Sequence, residues 1–115
     1  MFAAHYDLDN IVLIIDWNGL QIDGKITDVM NPTPLDEKFA AFGWEVFVID
    51  GHDLCAIDDA VTKANAVKGK PSVIIMKTHK GKGVSFMEDN VSWHGSAPNK
   101  EQYEAAVAEV SASLK

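Results

Sequence analysis

Three short runs of the chain are apolar at every position: Ile11–Ile15, Val46–Ile49 and Val73–Met76. None of them alternates apolar with polar residues. A strand covered on one face alternates, whereas a strand covered by helices on both faces reads as a continuous apolar run. The pattern therefore predicts parallel strands. Between and after them the apolar positions take on a helical period. Leu35, Phe39 and Phe42 form one stripe, which stops at Gly43. Leu54, Ile57, Val61 and Ala64 form a second, with Asp53 placed to cap its start. Tyr103, Val107, Val110 and Leu114 form a third. Met1–Tyr6 also favours a helix but has no cap before it, so it reads as the last turns of a longer one. Alternation of strand and helix predicts an α/β fold, a small parallel sheet with helices on both faces. Three strands are few for such a sheet and leave apolar edges exposed, so further structure is expected on the N-terminal side.

In open sheets of this type ligands bind at the carboxyl ends of the strands. That rule singles out Asp16–Gly24, Asp50–Asp53 and Lys77–Gly83, the last running on to Ser92–Pro98. These stretches concentrate glycines and polar side chains.

Composition narrows the classes of function. A chain of 115 residues, 47% hydrophobic, suffices for one compact domain. The net charge of −7 and the pI near 4.8 argue against nucleic acid and against an anionic membrane, both of which require a basic patch. A lone cysteine, Cys55, excludes an internal disulfide and suits a reducing cytoplasm. Its neighbours Leu54 and Ile57 suggest a buried structural thiol. The longest apolar run, Ile11–Ile15, falls far short of a membrane span, and no leader-like segment opens the chain. The expected location is cytoplasmic.

Three positions carry candidate chemistry. Asn18 is followed by glycine and reads either as turn chemistry or as a hard-metal ligand. In the second reading its amide oxygen and the carbonyl of Leu20 would both face Mg²⁺ or Ca²⁺. Lys80-Gly-Lys-Gly83 is either a solvated loop or a close approach of backbone and ammonium to phosphate; it lacks the spacing of a P-loop. His94, between Trp93 and Gly95, is either a loop histidine with satisfied nitrogens or a proton shuttle facing an anion. His5, His52 and His79 show no zinc-ligand spacing with it.

Taken together, Phe2-Ala-Ala-His-Tyr6, Asp16-Trp-Asn-Gly-Leu-Gln-Ile-Asp-Gly24, Phe42-Gly-Trp-Glu-Val46, Asp50-Gly-His-Asp53, Lys80-Gly-Lys-Gly83 and Ser92-Trp-His-Gly95 resemble the transketolase family in order and spacing. The resemblance covers residues 1–115 and corresponds to the C-terminal part of the thiamine-diphosphate-binding domain. It is nearest to the N-terminal subunits of split transketolases. It implies that Asn18 and Leu20 ligate the divalent metal, that Lys80 and His94 lie beside the cofactor, and that His94 assists proton transfer. It implies thiamine diphosphate with Mg²⁺ or Ca²⁺ as cofactors and a two-carbon ketol transfer between sugar phosphates.

The family's motif opens with Gly-Asp-Gly and closes with the asparagine matched by Asn18. Too few residues precede Asn18 to hold the opening half, so a truncated domain is expected, one that lacks the carboxylate ligand of the metal. Such a chain is expected to be inactive alone and to work with a complementary transketolase subunit or as a homo-oligomer. The competing expectations are a non-catalytic module that associates with itself or a partner, and a flavodoxin-like binder of some other phosphate.

Overall fold

A computed structural model describes residues 1–113; Leu114, the last member of the third predicted stripe, lies outside them. The elements run α1 (Phe2–His5), β1 (Val12–Trp17), β2 (Leu20–Gln21), β3 (Gly24–Lys25), α2 (Ile26–Val29), α3 (Leu35–Ala41), β4 (Glu45–Asp50), α4 (Leu54–Ala66), β5 (Ser72–Lys77), a 3₁₀ turn (Val91–Trp93) and α5 (Lys100–Ser113). They fall into two compact units. One comprises Met1–Trp17 and Pro32–Thr78; the other comprises Asn18–Asn31 and the described residues from His79 on.

The first unit holds the predicted sheet, parallel and ordered β1-β5-β4. The three apolar runs are its strands, each a residue or two longer than the run itself. The register sets Ile74 beside Ile14 and Phe47, and Ile75 beside Ile15 and Val48. Side chains alternate along a strand, so Ser72, Ile74 and Met76 share one face. Helix α4 closes that face: Ala60, Ala64 and Ile74 form the buried cluster, with Val12, Phe47, Ile49, Val61 and Met76 packed against it. Two alanines one turn apart let the helix backbone approach the sheet closely. The Ser72 hydroxyl, buried beneath it, donates to the Ala64 carbonyl at 3.5 Å.

Helix α4 starts where the cap was expected. The Asp53 carboxylate accepts from the amides of Cys55 (2.9 Å) and Ala56 (3.2 Å), two of the donors that a helix start leaves unpaired. Helix α3 ends as expected too. Gly43 takes φ +86°, and the Gly43 and Trp44 amides donate back to Ala40 and Phe39, an ending that glycine permits without strain. Gly51 answers to close approach instead. A Cβ there would lie 2.5 Å from Thr78 Cγ2 and 2.8 Å from Met76 Cβ, where its amide donates to the Lys77 carbonyl at 2.8 Å.

On the opposite face of the sheet, Trp17, Val48, Ile75 and Lys77 border a groove of about 250 Å³ with Thr33–Asp36 at its side. Helices therefore flank the sheet on both faces, but cover it unevenly: Ile14 on β1 is 52% exposed and Val48 on β4 is 45% exposed.

One expectation about burial needs correction. Cys55 is exposed, and its neighbour Leu54 is 81% exposed. Both stand in the first turn of α4, ahead of the residues from Ala56 on that meet the sheet. The Tyr103, Val107 and Val110 stripe of α5 is also exposed, Tyr103 at 59%, while Gln102, Ala106 and Glu109 are its more covered positions. Periodicity identified the helix but not the side it turns inward.

The second unit is built from a two-residue-paired hairpin (Leu20 opposite Lys25, Gln21 opposite Gly24), α2, the loop from His79, and α5. Asn99 and Gln102 cap α5 reciprocally: the Gln102 amide donates to Asn99 Oδ1 and the Asn99 amide to Gln102 Oε1, each at 2.9 Å, the geometry of a capping box. Among the described residues no helix is long and apolar enough to cross a membrane.

Asp53→Ala removes both acceptor contacts at the start of α4 and is expected to cost about 1 kcal/mol of stability in a urea melt, whereas Asp53→Asn keeps the acceptor and is nearly neutral. Equal midpoints for the wild type and the alanine variant would show that the cap carries no stability.

Candidate functional site

Asn18 comes directly after the last residue of β1. Its Oδ1 accepts the Leu20 amide at 3.0 Å, so the side chain closes the turn that swings the chain into the β2–β3 hairpin. Gly19 takes φ +73° inside that turn, and its carbonyl accepts the Ile26 amide at 3.0 Å. The turn reading of Asn18 is thus realised. An amide oxygen carries two lone pairs, so one hydrogen bond does not use up its capacity to bind something else.

Lys80 opens a loop that closes on itself. The Lys80 carbonyl accepts the Asp89 amide at 2.9 Å, Val84 donates to Gly81 and Met87 to Val84. The Gly83 amide reaches Glu88 Oε1 at 3.0 Å, and His79 Nδ1 lies 3.2 Å from the Asp89 carboxylate. Val84 is buried in the middle. Gly81 is the pivot, with φ +69° and room for no side chain: a Cβ would lie 2.6 Å from the Met87 carbonyl oxygen. The loop then enters the 3₁₀ turn, where Asn90 Oδ1 accepts the Ser92 amide (3.0 Å) and hydroxyl (2.7 Å). The Trp93 indole N–H donates to the Phe86 carbonyl at 3.0 Å, with the two rings 5.5 Å apart. His94 comes next, its amide bonded to Val91 and its residue surface exposed.

Asn18, Leu20, Lys80 and His94 line one small cleft together with Gln21 and Val91. All six belong to the second unit. The cleft has a volume of about 30 Å³, room for a water or a single ion. The sequence placed Gln21 inside the Asp16–Gly24 motif without giving it a role, and nothing in the sequence singles out Val91.

The chemistry of this lining is that of an anion's edge more than of a cation's cage. Lys80 supplies positive charge, Gln21 an amide, and His94 an imidazole that can accept or donate a proton. The oxygens of Asn18 and Leu20 are neutral. Mg²⁺ and Ca²⁺ sites rely on carboxylates, and none lines the cleft. Among the described residues no three His, Cys, Asp or Glu side chains gather to hold a metal. Asn18 and Leu20 therefore do not make a divalent-cation site by themselves.

A parallel sheet flanked by helices in one unit defines the class, an α/β domain, and the other unit carries the loop-built polar cleft. The sequence profile of the family described as "Transketolase, thiamine diphosphate binding domain" matches residues 1–111. The chain belongs to this family. It is 43% identical over 110 residues to the 6-deoxy-6-sulfo-D-fructose transketolase subunit SqwG of Clostridium sp., a match covering 96% of this chain and 40% of that protein. It is 41% identical over 115 residues to an apulose-4-phosphate transketolase subunit of Phocaeicola vulgatus, covering 100% of this chain and 41% of the relative. Among solved structures, transketolase from Campylobacter jejuni superimposes with a TM-score of 0.88 at 33% identity, over 96% of this chain and 17% of that one. The chain thus spans about two-fifths of the length of these subunit relatives.

Gly81→Ala combines an unfavourable left-handed backbone with a clash against Met87, and is expected to destabilise by about 2 kcal/mol or more. Gly95→Ala, at a position with nothing within 4 Å of the added Cβ, is the control. Similar thermal midpoints for the two variants would show that the loop yields around Gly81.

Proposed function

We propose that this chain supplies one wall of a thiamine diphosphate site in a two-carbon ketol transferase acting on sugar phosphates. The observation that carries the reading is that Asn18, Leu20, Lys80 and His94 line a single cleft. Family membership supports it. When bound, the cofactor supplies the covalent chemistry through its thiazolium ring.

The roles of the residues derive from their chemistry. Lys80 offers a point charge to phosphate oxygens. The cleft is too small to enclose a diphosphate, so the anion lies across its mouth, where exposed His94 is free to take or return a proton. Asn18 and Leu20 present oxygens to a divalent cation whose anionic ligand comes from outside the cleft. Parts of the complete enzyme beyond the residues of the cleft provide that carboxylate, and a complementary subunit the surface for the pyrimidine ring. The two relatives are each described as a transketolase subunit, which favours such a division of the site.

Isothermal titration with thiamine diphosphate, with and without Mg²⁺ and a pyrimidine-domain subunit, tests this. Saturable, metal-dependent binding is expected once the subunit is present. Asn18→Ala then weakens binding about tenfold, the scale of one polar contact to a charged group, whereas His94→Ala lowers turnover and leaves affinity nearly unchanged. Equal loss of both properties in both variants would refute the assignment.

A second reading has its own observation. Leu13, Ile14 and Val48 expose apolar surface on the strands, which suits a module that associates with itself. Light scattering is then expected to show a concentration-dependent oligomer; a monodisperse monomer across the range would rule this reading out.

A further inference from the structure

Helix α5 grips the loop that leads to the cleft. The Ser85 amide donates to one carboxylate oxygen of Glu109 at 2.6 Å, and the Ser85 hydroxyl to the other at 2.8 Å. Both oxygens are engaged, across 24 positions of sequence. The backbone bond first, and the hydroxyl bond second, hold the Glu109 carboxyl below its ordinary range. Hydrogen bonds to an ionised acceptor are shorter and stronger than neutral ones, and the two together fix the direction of the Ser85 backbone as well as its distance.

The neighbours of Ser85 extend this grip toward the cleft. Phe86 is the next residue, and its carbonyl accepts the Trp93 indole N–H at 3.0 Å. Trp93 immediately precedes His94, which lines the cleft. On the other side of Ser85, buried Val84 leads back through Gly81 to Lys80, also in the lining. A continuous path of hydrogen bonds and single peptide links therefore joins Glu109 to both Lys80 and His94 in the cleft, although Glu109 does not line it.

We infer that Glu109 is a positioning residue: by clamping Ser85 it sets the place of His94 through Phe86 and Trp93, and of Lys80 through Val84. Its value for catalysis rests on the reading of the cleft given above. The clamp itself is independent of any ligand.

The test uses the full chain without cofactor, so its outcome does not depend on whether thiamine diphosphate binds. Two quantities are measured: amide hydrogen exchange, and the NMR signals of the His94 ring. In Glu109→Ala, amides from Val84 to His94 are expected to exchange about tenfold faster, as local opening predicts when two anchoring bonds are lost, and the His94 ring signals shift. Amides of β5 keep their rates. Glu109→Gln retains one acceptor oxygen and falls between. Trp93→Phe keeps an aromatic ring, removes the indole donor, and moves the His94 signals while leaving the Ser85 amide protected. Unmoved His94 signals in Glu109→Ala would overturn the inference. So would a uniform rise in exchange that includes β5, because that result describes general stability and not position.

Discussion

Strand β5 has a partner along each edge and a helix across one face, and this burial organises the sheet. Pro71 through Ile75 are withdrawn from water, so every N–H from Ser72 on and every carbonyl in that stretch needs a partner inside the protein. β1 and β4 supply them in register on either side, and the ladder is extended at its far end by Gly51 and Thr78, which donate to Lys77 and Trp17. The chain visits β1 and β4 before β5, so the central strand is the last of the three in sequence. The close seat of α4 depends on the same strand. Ala60 and Ala64 could not be much larger without lifting the helix from Ile74.

The second unit solves the same accounting problem by other means. Its loop from His79 to His94 has almost no regular structure to satisfy its backbone. Turn bonds between backbone groups, such as Val84 to Gly81 and Asp89 to Lys80, satisfy much of it, and side chains take amides the turns leave over: Glu88 takes the Gly83 amide, Asn90 the Ser92 amide and Glu109 the Ser85 amide. Short polar side chains and carboxylates compete well for local amides, which is why they gather where helices and strands stop. A loop pinned in this way can hold Lys80 and His94 in fixed directions while leaving them accessible. Function drawn from loops on a packed scaffold is the usual arrangement, and here the pins are as informative as the residues they present.

The donor set of the cleft bears on the division of labour in this family. Two neutral oxygens, one ammonium and one imidazole make an incomplete site for a metal-bound diphosphate, yet each is oriented by contacts within one compact unit. The chain matches about two-fifths of its subunit relatives, and on the function proposed above the cleft is one wall of a larger site. The Asn18 turn illustrates how that wall serves two purposes. The residue whose oxygen closes the turn onto Leu20 also belongs to the cleft lining, so the structural reading and the ligand reading of this residue are compatible.

The strands, the α/β class and the caps at Asp53 and Gly43 were legible in the sequence, and four of the six residues that line the cleft were singled out there. Each is written in local terms: continuous apolar runs mean cover on both sides, an aspartate before a periodic stretch means a helix start, and the family motifs keep their order. What the sequence could not determine was direction. Leu54 and Cys55 continue an apolar pattern but precede the part of α4 that meets the sheet, and Tyr103, Val107 and Val110 repeat with helical period on an exposed side of α5. A period fixes that a helix has two faces; only packing decides which of them turns inward. The short hairpin at Leu20–Lys25 and the Ser85–Glu109 clamp were equally invisible, the first because two paired residues leave no periodic signal, the second because hydrogen bonds between residues far apart in sequence exist only after the chain has folded. The sequence by itself determined the sheet strands, the longer helices and the residues available for chemistry. Tertiary structure decided which of them meet, because contact between distant residues is a property of the packed chain and not of any local stretch of it.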